Sequence, residues 1–299
     1  MSLARFGLLR ASVTLMDEFR DIEPLLRAGD GFDLGAVDTA STPGFEHGGK
    51  HGKKQGHAAL AEGAVELAEL QEKLYAQGLD GDQRRVLLVL QAMDTAGKGG
   101  IVGHVVGSVN PYGVHIAAFK APTDEEKAHD FLWRIRKQLP APGMFGVFDR
   151  SHYEDVLVHR VRHFSTPEVI EERYGLINDF EKEIADAGTT VIKVMLHISP
   201  AEQKSRLEAR LDDSTKHWKF NPGDLDDRTL WPAFMEAYQI AITRTSTDVA
   251  PWYVIPADHK WYARLAVQQL LIDALRGFGQ DWPAADYDVA EQKARLAAE

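Results

Sequence analysis

The chain has 299 residues, a formal net charge of −11 and no cysteine, and 44% of its residues are hydrophobic. This composition is enough for the core of one large α/β domain or two small ones, and it excludes disulfides and thiolate metal sites. The negative balance argues against non-specific nucleic-acid binding. Because no apolar run reaches the roughly 20 residues of a membrane-spanning helix, we expect a cytoplasmic protein without membrane or nucleic-acid partners.

The first 57 residues are expected to form an extension ahead of the main domain. Residues 1–20 contain an apolar stretch that Arg10 interrupts, and no clear cleavage site follows, so we interpret this stretch as structural rather than as a signal peptide. Residues 48–56 are rich in glycine and basic side chains. They fit a flexible connector, and they also fit an arm that contacts a polyanion.

Strands and helices are predicted to alternate along the rest of the chain, which is typical of a doubly wound α/β fold with a parallel sheet flanked by helices. Thr123 and Glu126 have the spacing of a capping box, which predicts the start of a helix that continues to about Leu139. Residues 212–227, rich in Pro, Gly and Asp, are expected to be irregular. The predicted helices span residues 58–77, 99–109, 123–139, 167–187, 200–211, 228–243 and 260–278, and the predicted strands span 86–90, 114–119, 144–148, 191–198 and 252–255.

A glycine-rich turn, residues 91–100, lies between the first predicted strand and the next predicted helix. A strand, a tight turn with Gly-Lys and a helix form the context of a P-loop, in which backbone N–H groups and the helix N-terminus bind phosphate. The lysine of the turn is expected to reach the transferred phosphate. The predicted phosphate-binding residues of this turn are Ala96, Gly97, Lys98, Gly99 and Gly100.

The turn departs from the usual P-loop pattern at two positions. Ala92 stands where the first glycine is expected, and Gly99 replaces the Ser or Thr that normally contacts magnesium. Asp94 lies inside the turn, where a carboxylate would repel phosphate unless a cation lay between them. Asp94 is therefore a candidate Mg²⁺ ligand, although a turn in which it only caps the helix fits the same residues.

A second acidic residue, Asp149, ends the predicted strand 144–148. Ligands bind at the carboxyl ends of parallel strands, so we expect Asp94 and Asp149 to face one crevice and to bind Mg²⁺ together with phosphate. Arg150 is suited to bidentate contact with phosphate oxygens. The alternative is a strand-end turn with a surface pair between Asp149 and Arg150.

The predicted helix 200–211 is basic, and two of its arginines are four residues apart, where like charges destabilise a helix. Pairing with Glu202 and Asp213 is one explanation of this spacing. The other is a bound polyanion, since basic residues on a mobile segment above a P-loop are typical of a kinase lid, placed here at about residues 203–228. The predicted phosphate-binding residues of the lid are Lys204, Arg206 and Arg210.

Further motifs accompany the turn and the strand end. They are residues 91–100, 110–111 with 119–122, 129–134, 148–157, 218–225, and 245–256 with 260–262. Together they resemble the second family of polyphosphate kinases, the polyphosphate:nucleotide phosphotransferases, over roughly residues 58–280. This resemblance implies a thymidylate-kinase-like P-loop fold with a helical lid, Mg²⁺ as cofactor, polyphosphate with AMP, ADP or ATP as substrates, and a homo-oligomer, either a dimer or a tetramer.

The resemblance also implies roles for individual residues. Asp94 and Asp149 match metal-binding carboxylates, Lys98 and Arg150 match phosphate ligands, and Arg210 matches a lid arginine. These five are the expected catalytic residues. Residues 152–155 are similar to the branch that acts on both AMP and ADP, although the preference between the two stays open.

Two other functions fit the same P-loop. One is an ordinary nucleoside or nucleotide kinase that uses ATP, against which the missing P-loop Ser or Thr weighs. The other is a nucleotide-binding switch that transfers no phosphate. The P-loop polyphosphate kinase domain that the resemblance implies is expected at residues 58–280, with residues 281–299 as a C-terminal tail.

Overall fold

A computed structural model describes residues 21–45 and 49–299, so the apolar stretch at residues 1–20 lies outside the described part. Five parallel strands form one sheet: β1 (Arg85–Ala92), β2 (Val114–Ala118), β3 (Phe145–Asp149), β4 (Thr189–His197) and β5 (Trp252–Pro256). Their order is β2-β3-β1-β4-β5. All five predicted strands are confirmed, with small shifts at their ends.

Helices cover both faces of this sheet. Within β1 the side chains alternate, so that Val86 and Leu88 pack in one hydrophobic cluster while Leu87 and Val89 pack in another. Helices α2, α3 and α11 contribute to the first cluster, and α7 and α10 contribute to the second. The helices are α1 (Glu23–Leu26), α2 (Gly49–Leu79), α3 (Lys98–His104), α4 (Asp124–Lys127), α5 (Trp133–Arg136), α6 (Val158–Val161), α7 (Pro167–Asp186), α8 (Pro200–Asp212), α9 (Gly223–Thr229), α10 (Trp231–Thr245), α11 (Lys260–Gly277) and α12 (Val289–Ala297).

The expected flexible connector at residues 48–56 is wrong, because the chain is helical from Gly49 onward. Gly56 gives the physical reason. A Cβ atom at this position would lie 2.2 Å from the ring of Trp261, so glycine lets α2 pack closely against α11. The predicted boundary between residues 57 and 58 falls inside this continuous helix, and the domain limits themselves stay a prediction.

The capping box is confirmed: Glu126 donates its backbone N–H to Thr123 Oγ1 at 3.2 Å, and Thr123 donates its own to Glu126 Oε2 at 2.7 Å. The long helix expected after it is wrong, since α4 ends after about one turn. The Asp130 carboxylate accepts a hydrogen bond from the N–H of Leu132 at 3.0 Å. That local bond satisfies a backbone donor outside a helix and favours a turn before α5 begins.

Two further helix limits differ from the prediction. The helix expected over residues 99–109 ends at His104 and is followed by a 3₁₀ turn, Val106–Ser108. The stretch expected to be irregular contains the 3₁₀ turn Ser214–Lys219 and most of α9. Within residues 21–45 and 49–299, no helix combines the length and hydrophobicity that a bilayer crossing requires.

Candidate active site

The glycine-rich turn joins the end of β1 to the start of α3, at the carboxyl edge of the sheet. Its backbone takes the left-handed conformation at Thr95 (φ 64°) and at Gly97 (φ 125°). The first is strained because threonine is β-branched, and its Oγ1 is also buried without a hydrogen-bond partner in the described part of the chain. Lys98 Nζ lies 3.3 Å from the carbonyl oxygen of Ala92. Strain and an unsatisfied hydroxyl in one loop are typical of a ligand-binding turn.

Asp149 ends β3 beside this turn. It is in register with Leu90 of β1, and the N–H of Arg150 donates to the carbonyl oxygen of Leu90 at 3.0 Å. Arg150 is left-handed as well (φ 63°), and its Nη2 donates to Asp94 Oδ1 at 3.0 Å. The two acidic residues therefore lie at the same edge of the sheet, as the sequence predicts. Whether they bind a metal together stays a prediction.

Glu154 is a third carboxylate of this site, and the sequence-based assignment does not include it. Its Oε2 lies 3.5 Å from Arg150 Nη1. Burial raises the pKa of Glu154, and the positive charges of Arg150 and Lys98 lower it in part. The signal in the sequence is its position four residues after Arg150 on the loop that follows β3.

A buried hydrogen-bond network fixes the position of the loop that follows β3. The Tyr153 hydroxyl donates to Glu181 Oε1 at 2.8 Å, and Lys193 Nζ donates to Glu181 Oε2 at 2.5 Å and to the carbonyl oxygen of Thr245 at 2.6 Å. Burial alone would raise the pKa of Glu181, but Lys193 and His152 bring it below its usual value. The network links α7, β4 and α10 to the residues that follow Arg150.

Arg206 does not have the role that the sequence predicts. All five of its N–H donors are used within the protein: Nε bonds to Glu202, Nη1 bonds to the carbonyl oxygens of Thr95 and Ala96, and Nη2 bonds to those of Ala257 and Asp258. Direct phosphate binding by Arg206 does not fit this arrangement. Its guanidinium instead holds the glycine-rich turn, residues 91–100 and from here on the phosphate loop, against α8 and the segment after β5.

The other two predicted lid residues differ in their surroundings. Lys204 is exposed and lies 3.7 Å from Glu208 on the same helix. Arg210 Nη1 donates to the carbonyl oxygen of Lys219 at 3.0 Å and lies 3.5 Å from Asp224 Oδ2. Burial raises the pKa of Asp224 to about 6, and the negative charge of Asp94 adds to this shift. The lid segment around Arg210 therefore lies close to the phosphate loop.

A basic pocket of about 650 Å³ lies next to the phosphate loop. Its cations are Lys53 of α2 and Lys260 and Arg264 of α11, with His57 beside them, and its two acidic residues are Glu202 and Asp258. A Cβ atom at Gly100 would lie 3.4 Å from Arg264 Nη2, which places this guanidinium against the loop. Sequence reasoning missed these residues because helices distant in the chain supply them; the only signal was the basic stretch at residues 48–56.

The positive side chains of this pocket lack ion-pair partners. Burial lowers the pKa of Lys260 and Arg206 lowers it further, Glu202 on the pocket wall opposes this shift, and Arg264 adds to it. Burial and Arg206 likewise lower the pKa of Arg264. Among the residues that the structure describes, none forms an ion pair shorter than 4.0 Å with Lys53, Lys260 or Arg264. Such a cluster is suited to a polyanion that would supply the missing negative charge.

Within the described residues, no cluster of three or more His, Cys, Asp or Glu side chains could hold a metal ion. Mg²⁺ in phosphate sites is usually bound by one or two carboxylates, with water and substrate phosphates completing the octahedron. The set of Asp94 and Asp149 at one sheet edge fits that requirement. The unfavourable proximity of Asp94 and Asp224, which raises the pKa of Asp224, also fits a cation at this edge.

A phosphate loop after the first strand of a parallel sheet, with helices on both faces and a helical lid, defines a P-loop kinase-like α/β protein. Residues 50–281 match the polyphosphate kinase 2 family. The chain belongs to this family, so the predicted fold class and family are confirmed.

One solved structure and two named relatives support this family assignment. The crystal structure of polyphosphate kinase 2 from Arthrobacter aurescens TC1 is 58% identical, superposes with a TM-score of 0.89, and the match covers 92% of this chain and 96% of that one. The AMP/ADP-polyphosphate phosphotransferase of Meiothermus ruber is 47% identical over 252 residues, which are 84% of this chain and 91% of the relative. The ADP-polyphosphate phosphotransferase of Rhodopseudomonas palustris is 37% identical over 86% of this chain and 91% of its own length.

Proposed function

We propose that the protein transfers phosphate reversibly between inorganic polyphosphate and AMP or ADP. The observation that carries this proposal is the basic pocket beside the phosphate loop. Three cations of this pocket, Lys53, Lys260 and Arg264, form no ion pair in the described part of the chain, and such a group suits a chain of phosphates. The names of the relatives from Meiothermus ruber and Rhodopseudomonas palustris support the same substrates.

The chain's own residues bind and align the reacting phosphates. The backbone of residues 96–100 and the Lys98 ammonium hold the phosphate at the loop, and Arg150 lies at the strand end where a nucleotide phosphate can approach it. Arg210 is available to the transferred group once it leaves Asp224. These cations stabilise the charge that develops on the transferred phosphoryl group, and closure of the lid excludes water.

We further propose that Mg²⁺ is the cofactor and that Asp94 and Asp149 hold it. When bound, the ion would offset part of the negative charge of the phosphates and orient their oxygens for transfer. The missing P-loop hydroxyl at Gly99 supports this assignment, because a loop without it must offer another ligand.

The experiment is a phosphate-transfer assay with AMP or ADP as acceptor, in the presence of Mg²⁺ and with or without polyphosphate. We expect ADP or ATP to form only when polyphosphate is present. Transfer that requires ATP as the donor would identify an ordinary kinase instead. Nucleotide binding without any transferred phosphate would identify a switch, and both outcomes would overturn the proposal.

A homo-oligomer in the cytoplasm is part of the same proposal, and the absence of cysteine suits a reducing compartment. Light scattering coupled to size exclusion tests it. A mass of two or four chains is expected, while a monomer of 33.3 kDa would contradict it.

A further inference from the structure

Two side chains of α8, Gln203 and Arg206, bind three consecutive carbonyl groups of the phosphate loop. Gln203 Nε2 donates to the carbonyl oxygen of Asp94 at 3.0 Å. Arg206 Nη1 donates to the carbonyl oxygens of Thr95 and Ala96, at 3.1 and 2.7 Å. The two side chains are three positions apart, so they lie on one face of the helix. This face of α8 therefore binds the backbone of the loop along one side.

The same hydrogen bonds determine where the N–H groups of the loop point. In a planar trans peptide, the C=O of one residue and the N–H of the next point in opposite directions, and no described peptide bond is cis. The N–H groups of Thr95 and Gly97 are therefore directed away from α8, and neither has an acceptor within the described residues. The N–H of Ala96 donates to the carbonyl oxygen of Met93 at 3.2 Å. Two donors of the loop are thus left for a phosphate.

Gln203 is fully buried, and both ends of its amide are bound. Its Oε1 accepts a hydrogen bond from Arg228 Nη1 at 2.8 Å, while its Nε2 faces the carbonyl oxygen of Asp94. A guanidinium only donates and a carbonyl oxygen only accepts, so one orientation of the amide satisfies both neighbours and the reverse orientation satisfies neither. Arg228 therefore directs the donor of Gln203 toward the phosphate loop.

Arg228 also connects this contact to the lid. It belongs to α9, and its Nη1 donates to the carbonyl oxygen of Pro200 at the start of α8 as well, at 3.0 Å. A continuous series of hydrogen bonds thus runs from α9 through Gln203 to the backbone of Asp94. Because Asp94 is also the proposed Mg²⁺ ligand, the position of its backbone sets the position of its carboxylate.

We propose that Gln203 is a positioning residue for the phosphate transfer. It holds the peptide between Asp94 and Thr95 so that the N–H of Thr95 faces a phosphate oxygen, and Arg228 keeps its amide in that orientation. Gln203 touches no substrate and acts only through the loop. This role rests on the proposed function, because it is a role within that reaction.

The placement of the loop is tested by amide NMR of the intact ¹⁵N-labelled protein with Mg²⁺ and inorganic triphosphate, so no transfer has to occur. In the unmodified protein, we expect triphosphate to move the amide proton signals of Thr95 and Gly97 saturably downfield. In Gln203→Met, the shift of Thr95 should fall to about half or less, because a hydrogen bond weakens steeply when its donor turns away. The shift of Gly97 should stay, because Arg206 still binds the carbonyl oxygen of Ala96.

Steady-state kinetics test the effect on transfer. Gln203→Met should lower kcat about tenfold with polyphosphate and ADP and change the KM for polyphosphate less than about twofold. The reason is that Lys98 and the basic pocket still bind the phosphates, whereas one aligned donor is lost. Arg228→Met should lower kcat about threefold, and Arg228→Lys, which can still donate to Gln203, should restore it.

Gln268→Met is the matched control. Gln268 of α11 is also fully buried, and its Nε2 donates to the carbonyl oxygen of Leu60 of α2 at 3.1 Å. The substitution removes the same kind of hydrogen bond between two helices and leaves α8 unchanged. It should keep kcat and both amide shifts. If Gln203→Met does not fold, Gln203→Glu replaces it, since the carboxylate keeps the shape and the bond from Arg228 and loses the donor.

Three results would overturn the proposal. One is an equal loss of the Thr95 and Gly97 shifts in the Gln203 variant, which would indicate general damage to the loop. Another is an unchanged kcat in the folded variant. The third is an unmodified protein in which triphosphate shifts neither amide. An unmodified protein that transfers no phosphate from polyphosphate would instead contradict the proposed function, and the two amide shifts would then decide by themselves whether Gln203 positions the loop.

Discussion

Two carboxylates, those of Glu154 and Asp224, lie within electrostatic reach of Asp94 in the phosphate loop. Arg150 binds Asp94 directly and lies 3.5 Å from Glu154, so it compensates part of their charge. A site that gathers this much negative charge and still has to approach phosphate needs cations from outside the chain. This balance is the residue-scale basis of the proposed Mg²⁺ requirement.

Asp94→Asn should reduce turnover with polyphosphate and ADP by about 100-fold while the protein stays folded, because the amide keeps the shape and loses the charge that holds the cation. Steady-state rates over a range of Mg²⁺ concentrations measure the effect, and circular dichroism checks the fold. Asp212→Asn, at the exposed end of α8, is the matched control and should keep its activity. Near-normal rates in the Asp94 variant would contradict the metal assignment.

Asp224 should titrate near pH 6 in the substrate-free protein, well above its usual value of 3.8. The pKa of this carboxyl is higher in the folded state than in the unfolded state. Its ionisation therefore does not affect the free energy of unfolding below pH 3.8, and lowers that free energy as the pH rises from 3.8 toward about 6. Asp94→Asn should lower the pKa of Asp224, since Asp94 contributes to the shift after burial. Carboxyl ¹³C NMR titration measures both values, and an unchanged pKa in the variant would place Asp94 farther from the lid.

Lys193→Met should destabilise the protein by about 3–5 kcal/mol, because Glu181 would stay buried and charged without its partner. Replacing both residues with apolar ones should recover most of that loss. Lys182→Met, on the helix α7 that also carries Glu181, is the control: its ion pair with Asp186 is exposed, so about 0–1 kcal/mol is expected. Chemical denaturation measures all three, and equal losses for the two lysines would argue against the buried network.

At the scale of elements, glycines set how closely the segments pack. A Cβ atom at Gly78 of α2 would lie 2.4 Å from the Cα atom of Gly143, in the turn before β3. Gly175 of α7, in contrast, has no atom within 4 Å of such a position. Both glycines lie in helices, but only Gly78 is at a position with no room for a side chain.

Gly78→Ala should lower the free energy of unfolding by about 1–3 kcal/mol, because the backbone of the turn has to move. Gly175→Ala should raise it by about 0.5–1 kcal/mol, since alanine loses less backbone freedom than glycine in a helix. Thermal or urea denaturation of the two variants tests this pair. A stabilised Gly78 variant would mean that α2 and the turn before β3 are not in close contact.

At the scale of the whole molecule, a chain with a net charge of −11 concentrates unpaired cations in one pocket. A polyanion approaching this protein is repelled by most of the surface and attracted at that pocket. The affinity for polyphosphate should therefore fall as salt is added, while the affinity for a nucleotide with few charges changes less.

Arg264→Gln should raise the KM for polyphosphate about tenfold and leave the KM for ADP nearly unchanged, because the lost cation lines the pocket proposed to bind polyphosphate. Lys293→Gln, on the exposed helix α12, removes the same charge from the molecule at a distance and should change neither value. Initial rates at two salt concentrations measure both. A parallel rise of the two KM values in the Arg264 variant would count against a separate polyphosphate path.

The sequence by itself determined the order of the five strands and the position of the phosphate loop between β1 and α3. Buried strands, the Gly-Lys turn after β1 and the capping box at Thr123 are local patterns, and local hydrogen bonds and side-chain burial fix them. It also indicated that Asp94 and Asp149 lie at one edge, because parallel strands end on the same side.

Only the tertiary structure decided how the charged side chains are used. Arg206 and Arg210 look alike in the sequence. The Nη1 and Nη2 donors of Arg206, however, are all used by backbone carbonyl oxygens of the phosphate loop and of the segment after β5. The basic pocket likewise joins Lys53 with Arg264, and helix packing through Gly56 brings their helices together. Periodicity reports which face of an element is buried, whereas the partner of a charge is set by atoms that meet only after the chain has folded.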